Sequence, residues 1–292
     1  MKSGFIAIIG QPNVGKSTLL NRFIGESLAI VTPKPQTTRQ NIIGILNKKD
    51  VQAVFLDTPG FHESAKLLNK VMVEKVSEAV ADADVAVLMI EPKQKPDDID
   101  RTLFNKISGV GKKIVAINKI DTVMGKPWGE VVDKYWKEFN ETPTVAISAT
   151  KGTGCDILLN KIIEFLPEGE PFYPVDEYTE HPVRFLAAEI IREQAMLILR
   201  QELPYSLAVE IDEFKDAASA GGITRIRAFI IVEKDSQKAI VIGSGGSMIK
   251  KIGTLSRGKI ETLVGGKVFL ELLAKVEPNW TRDQKIITKL GL

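Results

Sequence analysis

Gly10-Gln11-Pro12-Asn13-Val14-Gly15-Lys16-Ser17-Thr18 follows the apolar run Phe5–Ile9 and leads into the helix-like Leu19-Leu20-Asn21-Arg22-Phe23-Ile24. A strand, a glycine-framed loop and a helix start together suit polyphosphate binding. Glycines at both ends let the backbone wrap close to the anion, so that successive N–H groups and the helix N-terminus face it. Lys16 would reach the β- and γ-phosphates as a point charge, and Ser17 would give its hydroxyl to the accompanying Mg2+.

Further polar strings follow other apolar runs. Asp57-Thr58-Pro59-Gly60 comes after Val51–Leu56. By itself it is a good turn; after a phosphate loop, the acid can hold the Mg2+ shell and the glycine can offer a bare N–H to a γ-phosphate. Asn118-Lys119-Ile120-Asp121 comes after Lys113–Ile117. A carboxylate at Asp121 can accept from the N1–H and amino group of guanine, whereas adenine would leave it unpaired. Asn118 would support the loop, and Lys119 would lay its stem over the base.

These strings, with Ser148-Ala149 ending a sixth apolar run, resemble the P-loop GTPases in kind and order. The resemblance implies binding of GTP and GDP by residues 10–18, by Asp57, Thr58, Pro59, Gly60 and Phe61, by Asn118, Lys119, Ile120 and Asp121, and by Ser148 and Ala149, whose N–H meets the guanine O6. Ser17, Asp57 and a switch threonine would hold Mg2+. The proline-broken stretch from Ser27 to Arg39 reads as a mobile loop and corresponds to the first switch, with Thr38 the first choice and Thr37 the second. Lys16, Thr38 and Gly60 are the expected catalytic group. Phe61 stands where Ras-like enzymes place a water-orienting glutamine, so turnover should be slow and lean on the phosphate loop, Mg2+ and added positive charge. Asn13 could ligate a K+ ion supplying that charge, or serve as a structural hydrogen bonder.

The elements that must position these groups are short β-branched runs alternating with helical stretches over residues 1–166, an α/β pattern with a mostly parallel sheet whose ligands collect at the strands' carboxyl ends. At 292 residues the chain has room for two domains. Its 44% apolar and 26% charged residues are those of an ordinary globular protein. The net charge of +2 names no partner; from Arg184 onward 17 basic face 13 acidic residues, a weak pointer to an anionic partner for that half. The single cysteine, Cys155, cannot form an internal disulfide and suits a reducing cytosol. No secretory pattern or bilayer-length apolar run is present.

Residues 167–182 carry four prolines and five acids and read as a linker whose aromatics pack along a domain surface. Beyond them the expected order is a helix (Arg184–Arg200), strands Leu207–Phe214 and Ile223–Glu233, a short run Ala239–Ile242, helices opening at Ser247 and at Leu255, and a strand Val268–Val276. This α-β-β-α-α-β order, with Ile242-Gly243-Ser244-Gly245-Gly246-Ser247-Met248, resembles a type II KH domain over residues 183–292. Its GxxG turn would admit a single-stranded RNA backbone, with Lys250, Lys251 and Arg257 beside it.

The two halves in one chain, with the switch string Pro35-Gln36-Thr37-Thr38-Arg39, resemble the Era family of bacterial GTPases. That likeness implies a cytoplasmic monomer with no DNA partner that binds the 3′ end of 16S ribosomal RNA and acts in 30S subunit maturation, with peripheral contact at the inner face of the cell membrane. The alternative is a GTPase whose C-terminal half is a protein- or membrane-surface module.

Overall fold

Val85–Ile90 forms strand β4, and all of its side chains are buried. A strand with no polar face must be covered on both sides, which requires a central place in a helix-flanked sheet. The structure, a computed structural model, supplies that place. It describes residues 1–34, 37–60, 67–93, 95–123, 128–199, 206–219 and 221–290, with only the backbone of Asn69 and Trp128. Phe61, Pro35 and Gln36 lie outside the described residues, as does Arg200, the expected helix end.

The first sheet has the order β2-β3-β1-β4-β5-β6, with β1 at Lys2–Gly10, β2 at Ile42–Lys48, β3 at Val51–Asp57, β5 at Lys112–Ile117 and β6 at Thr144–Ala146. β2 and β3 form an antiparallel hairpin; the other pairs are parallel. Helices α1 (Lys16–Ile24), α2 (Leu67–Ala81), α3 (Asp98–Lys106), α4 (Trp128–Glu138) and α5 (Cys155–Phe165) fill the connections. The chain leaves β1 toward β3 and then crosses back to β4, so the end of β1 is a topological switch point, where such sheets take their ligands.

Chain contacts divide the protein into two compact units, the first running to Glu180 and the second starting at His181. The stretch expected as a linker after residue 166 packs with the first unit. It runs along the open edge at β2: Ile45 N donates to Tyr178 O at 2.8 Å and Thr179 Oγ1 to Ile43 O at 2.6 Å. The fully buried Gln52 accepts from Phe172 N and Tyr173 N and donates to Tyr173 O at 2.7 Å, while Phe172 lies on Phe5 with ring centroids 4.7 Å apart.

The second unit holds α6 (Val183–Ile198), β7 (Ala208–Lys215), β8 (Ile223–Val232), α7 (Asp235–Ile242), α8 (Ser247–Val264), β9 (Lys267–Val276) and α9 (Gln284–Lys289). β8 is central, antiparallel to β7 and parallel to β9. Ala187, Ile191 and Ala195 of α6 and Ile252 and Ile260 of α8 bury one face of this sheet against Ile226, Ala228 and Ile230. Two expectations are corrected here. Ala239–Ile242 is the end of helix α7, and the helices expected at Ser247 and Leu255 are one, α8. The α-β-β-α-α-β order holds with these helices in the two middle places.

Candidate functional site

Gly15 leaves the loop at φ 105° and α1 starts at Lys16, so the first helical amides follow the turn directly. The nearly buried Lys16 folds its Nζ back to Gly10 O (3.2 Å) and Gln11 O (3.1 Å). Ser17 Oγ donates to Asp57 Oδ2 at 2.6 Å and lies 3.0 Å from Thr38 Oγ1, which is 3.5 Å from the same carboxylate oxygen. Asp57 Oδ1 is buried without a hydrogen-bond partner among the described residues. Two hydroxyls, a carboxylate and an unsatisfied oxygen fit a hard divalent cation. Thr37 is turned elsewhere, with Oγ1 2.7 Å from Thr32 Oγ1 and 2.6 Å from Lys34 O. Thr18, Pro12, Val31 and Gly60 complete the walls of this cleft.

Of the remaining phosphate-side residues, Thr58 turns its hydroxyl to Ile8 O (2.8 Å) and Pro59 is buried, so this pair anchors the turn to β1. Gly60 packs on the loop itself: a Cβ there would stand 2.7 Å from Pro12 Cα. Asn13, at φ 62°, donates Nδ2 to Pro33 O at 2.9 Å, tying phosphate loop to switch. Gln11 is braced from outside the expected set. Its Nε2 donates to Asp100 Oδ1 at 2.8 Å, and Asp97 and Asp100, the capping box of α3, share the ammonium of Lys93. The spacing Asp97-x-x-Asp100 before an apolar period signals the cap. Nothing local signals its tie to Gln11.

On the base side, Asn118 donates its backbone N–H to Ile90 O at 2.8 Å and its Nδ2 to Val14 O at 2.7 Å, and accepts the Ala149 N–H at 2.8 Å. The amide expected to meet guanine O6 is thus held by Asn118 here. Lys119, at φ 64°, pairs with Glu91 at 2.5 Å; Ile120 N reaches Ile147 O, and Asp121 is exposed on the turn Ile120–Thr122. Ser148 Oγ accepts from Lys151 N at 3.1 Å. Arg22 of α1 also reaches this loop.

Burial dominates the electrostatics. It lowers the Lys16 ammonium to about 8 against the opposing pull of Asp57, and raises the Asp57 carboxyl to about 6 against Lys16, Ser17 and Thr38. A raised acid loses its stabilising contribution as pH rises through 6, and a lowered base loses its own as pH falls through 8. By these two groups the free site is least comfortable between those values, where both are charged and ready for ligands. Affinity for Mg2+ with GDP should therefore be flat from about pH 6 to 8. Below 6 it should fall by up to about tenfold per unit, as Asp57 must release a proton; above 8, binding must take one up at Lys16. Calorimetry in buffers of different ionisation enthalpy checks both limbs, and an Asp57→Asn variant should lose the acid limb.

In the second unit, α7 ends at Ile242 and Gly243 leads into a short turn, Ser244–Gly246, before α8 starts at Ser247. Gly245 and Gly246 have φ of 56° and 78°, and added Cβ atoms there would meet nothing within 4 Å. The backbone at this turn is open to a partner. Behind it Ile249, Lys250, Gly253, Thr254 and Arg257 of α8 face Leu270 and Leu272 of β9 across a groove. Lys251 is exposed on the same helix and Met248 packs partly against the core.

Fold and sites define a P-loop GTPase joined to a KH domain. Residues 5–119 match the family described as 50S ribosome-binding GTPase, and residues 202–281 match the KH domain family. GTPase Era of Geobacter metallireducens is 43% identical over 291 residues, covering 99% of this chain and 97% of that protein; GTPase Era of Thermotoga maritima is 45% identical over 296 residues, covering 100% and 98%. Two crystal structures are similar across 100% of this chain and 99% of theirs, each with TM-score 0.95 and 40% identity: an Aquifex aeolicus Era variant bound to GDP and AlF4−, and Era in complex with MgGDPNP and nucleotides 1506–1542 of 16S ribosomal RNA. The chain belongs to the Era family of GTPases. Among the described residues, no helix is long and apolar enough to cross a membrane.

Proposed function

We propose that this GTPase is a nucleotide-controlled RNA binder that takes the 3′ end of 16S ribosomal RNA into the groove beside Gly243–Gly246 and serves maturation of the 30S subunit as a cytoplasmic monomer. The carrying observation is the open glycine turn against a groove bearing Lys250 and Arg257. The similar Era complex with a 16S segment supports the choice of RNA.

In this reading the amides of residues 13–18 and the Lys16 ammonium bind the phosphates, leaving Gly10 O and Gln11 O. Ser17, Thr38 and Asp57 would hold Mg2+, which supplies positive charge at the phosphate oxygens when bound. Thr38 then fixes the first switch to the nucleotide, and Gly60 offers its N–H beside Pro12. Asn118, Lys119 and Asp121 receive guanine. With its Nδ2 spent on Pro33 O, Asn13 has Oδ1 left for a K+ ion, a role tested by turnover in K+ against Na+.

The test is fluorescence anisotropy with a short single-stranded RNA carrying the 16S 3′ end, the protein being loaded in turn with GDPNP and GDP. Binding at least about tenfold tighter with GDPNP is expected, the size of a typical coupling free energy. Equal binding would break the control and keep the RNA site. No binding to RNA, with capture of the protein by anionic vesicles, would favour a membrane-surface module instead.

A further inference from the structure

Arg22 lies on α1, the helix that opens on Lys16 and Ser17, and its guanidinium crosses to the base-side loop. Nε donates to Ala149 O and Nη2 to Thr150 O at 2.6 Å. Gly152 makes room for it: at φ 87° its missing Cβ would stand 2.7 Å from Nη1. The fork therefore fixes two successive peptide planes of the loop whose Ala149 N–H is turned to Asn118. Asn118 makes the same connection from the other side, between Val14 O and Ala149 N. Together they lock the phosphate-binding helix and the base-reading loop to each other at a set spacing.

We infer that Arg22 is a positioning residue for guanine nucleotide, setting how long GDP and GTP stay bound while taking no part in hydrolysis. This rests on the nucleotide-site reading. The bonds of Arg22 are to carbonyls of the loop expected to meet the base. A planar guanidinium holds two carbonyls in a rigid fork of fixed spacing, whereas a lysine ammonium meets them as a flexible point charge. Because Arg22 is exposed, the effect is moderate.

Release of a fluorescent GDP, chased with unlabelled GDP, tests this. Arg22→Ala should release GDP about tenfold faster than the parent, the worth of a charge-assisted hydrogen bond at a solvent-facing site, with kcat at saturating GTP within about twofold. Arg22→Lys should fall between. Gly152→Ala should speed release at least as much, since at φ 87° it strains the loop backbone as well as displacing the guanidinium. The release rate reports only on molecules that hold nucleotide, so partial unfolding would not imitate the effect. Release from Arg22→Ala within twofold of the parent would overturn the inference. If the parent fails to hold GDP, or Lys16→Ala holds it as well as the parent, the nucleotide-site reading itself falls.

Discussion

Lys16→Ala is expected to weaken GDP and GTP binding by two to three orders of magnitude, roughly 3–4 kcal/mol, the cost of removing one partner from a desolvated charge pair. The ammonium is almost fully buried and, among the described residues, bonds to two loop carbonyls, with burial holding its proton loosely. A phosphate is the partner that repays this arrangement, and the described lining of the cleft offers no second cation. Thermal melts give the clearest check: the rise in melting temperature that GDP gives the parent should vanish in the variant. Unchanged GDP affinity would remove the phosphate-loop assignment.

The second large effect is expected in the other unit. Gly245→Asp with Gly246→Asp should lower affinity for the 16S 3′-end RNA by about a hundredfold or more, since two carboxylates would stand where a phosphate backbone must approach. Asp accepts left-handed backbone better than most residues, and added side chains meet open space, so the melting temperature should move by only a few degrees. GTP turnover without RNA should be unchanged. RNA binding that survives both substitutions would place the nucleic acid elsewhere on the protein.

Much of the site was legible because its signals are local. Glycine, lysine and serine spacing around residues 10–17 points in one string to a loop shaped for polyphosphate, and Asn118 to Asp121 points likewise to a base. The choice between Thr37 and Thr38 needed the fold: only the structure turns Thr38 toward Ser17 and Asp57, and Thr37 toward Thr32. The supports were invisible for a like reason. Arg22 meets Ala149 across 127 positions and Gln11 meets Asp100 across 89, distances no pattern in the chain encodes.

Ile240-Val241-Ile242 is β-branched and favours strand, which conceals helix α7 in the short run Ala239–Ile242. Its cap overrides that preference: Gln237 Oε1 accepts from Glu233 N at 2.8 Å and Lys234 N at 3.1 Å. Helix α8 runs unbroken through Gly253, where an added Cβ would lie 3.5 Å from Leu272, an ordinary packing distance.

The path of residues 172–179 along β2 decides where this protein can be divided. A chain ended at Leu166 would bare Ile45 N and Ile43 O on the edge strand β2 and strip the cover from Phe5 and Gln52, an invitation for copies to pair edge to edge. A chain ended after Glu180 keeps its own stopper in place. The acidic, proline-rich stretch is thus a safeguard against self-recruitment, and a protease that trims it would turn a well-behaved enzyme into a sticky one.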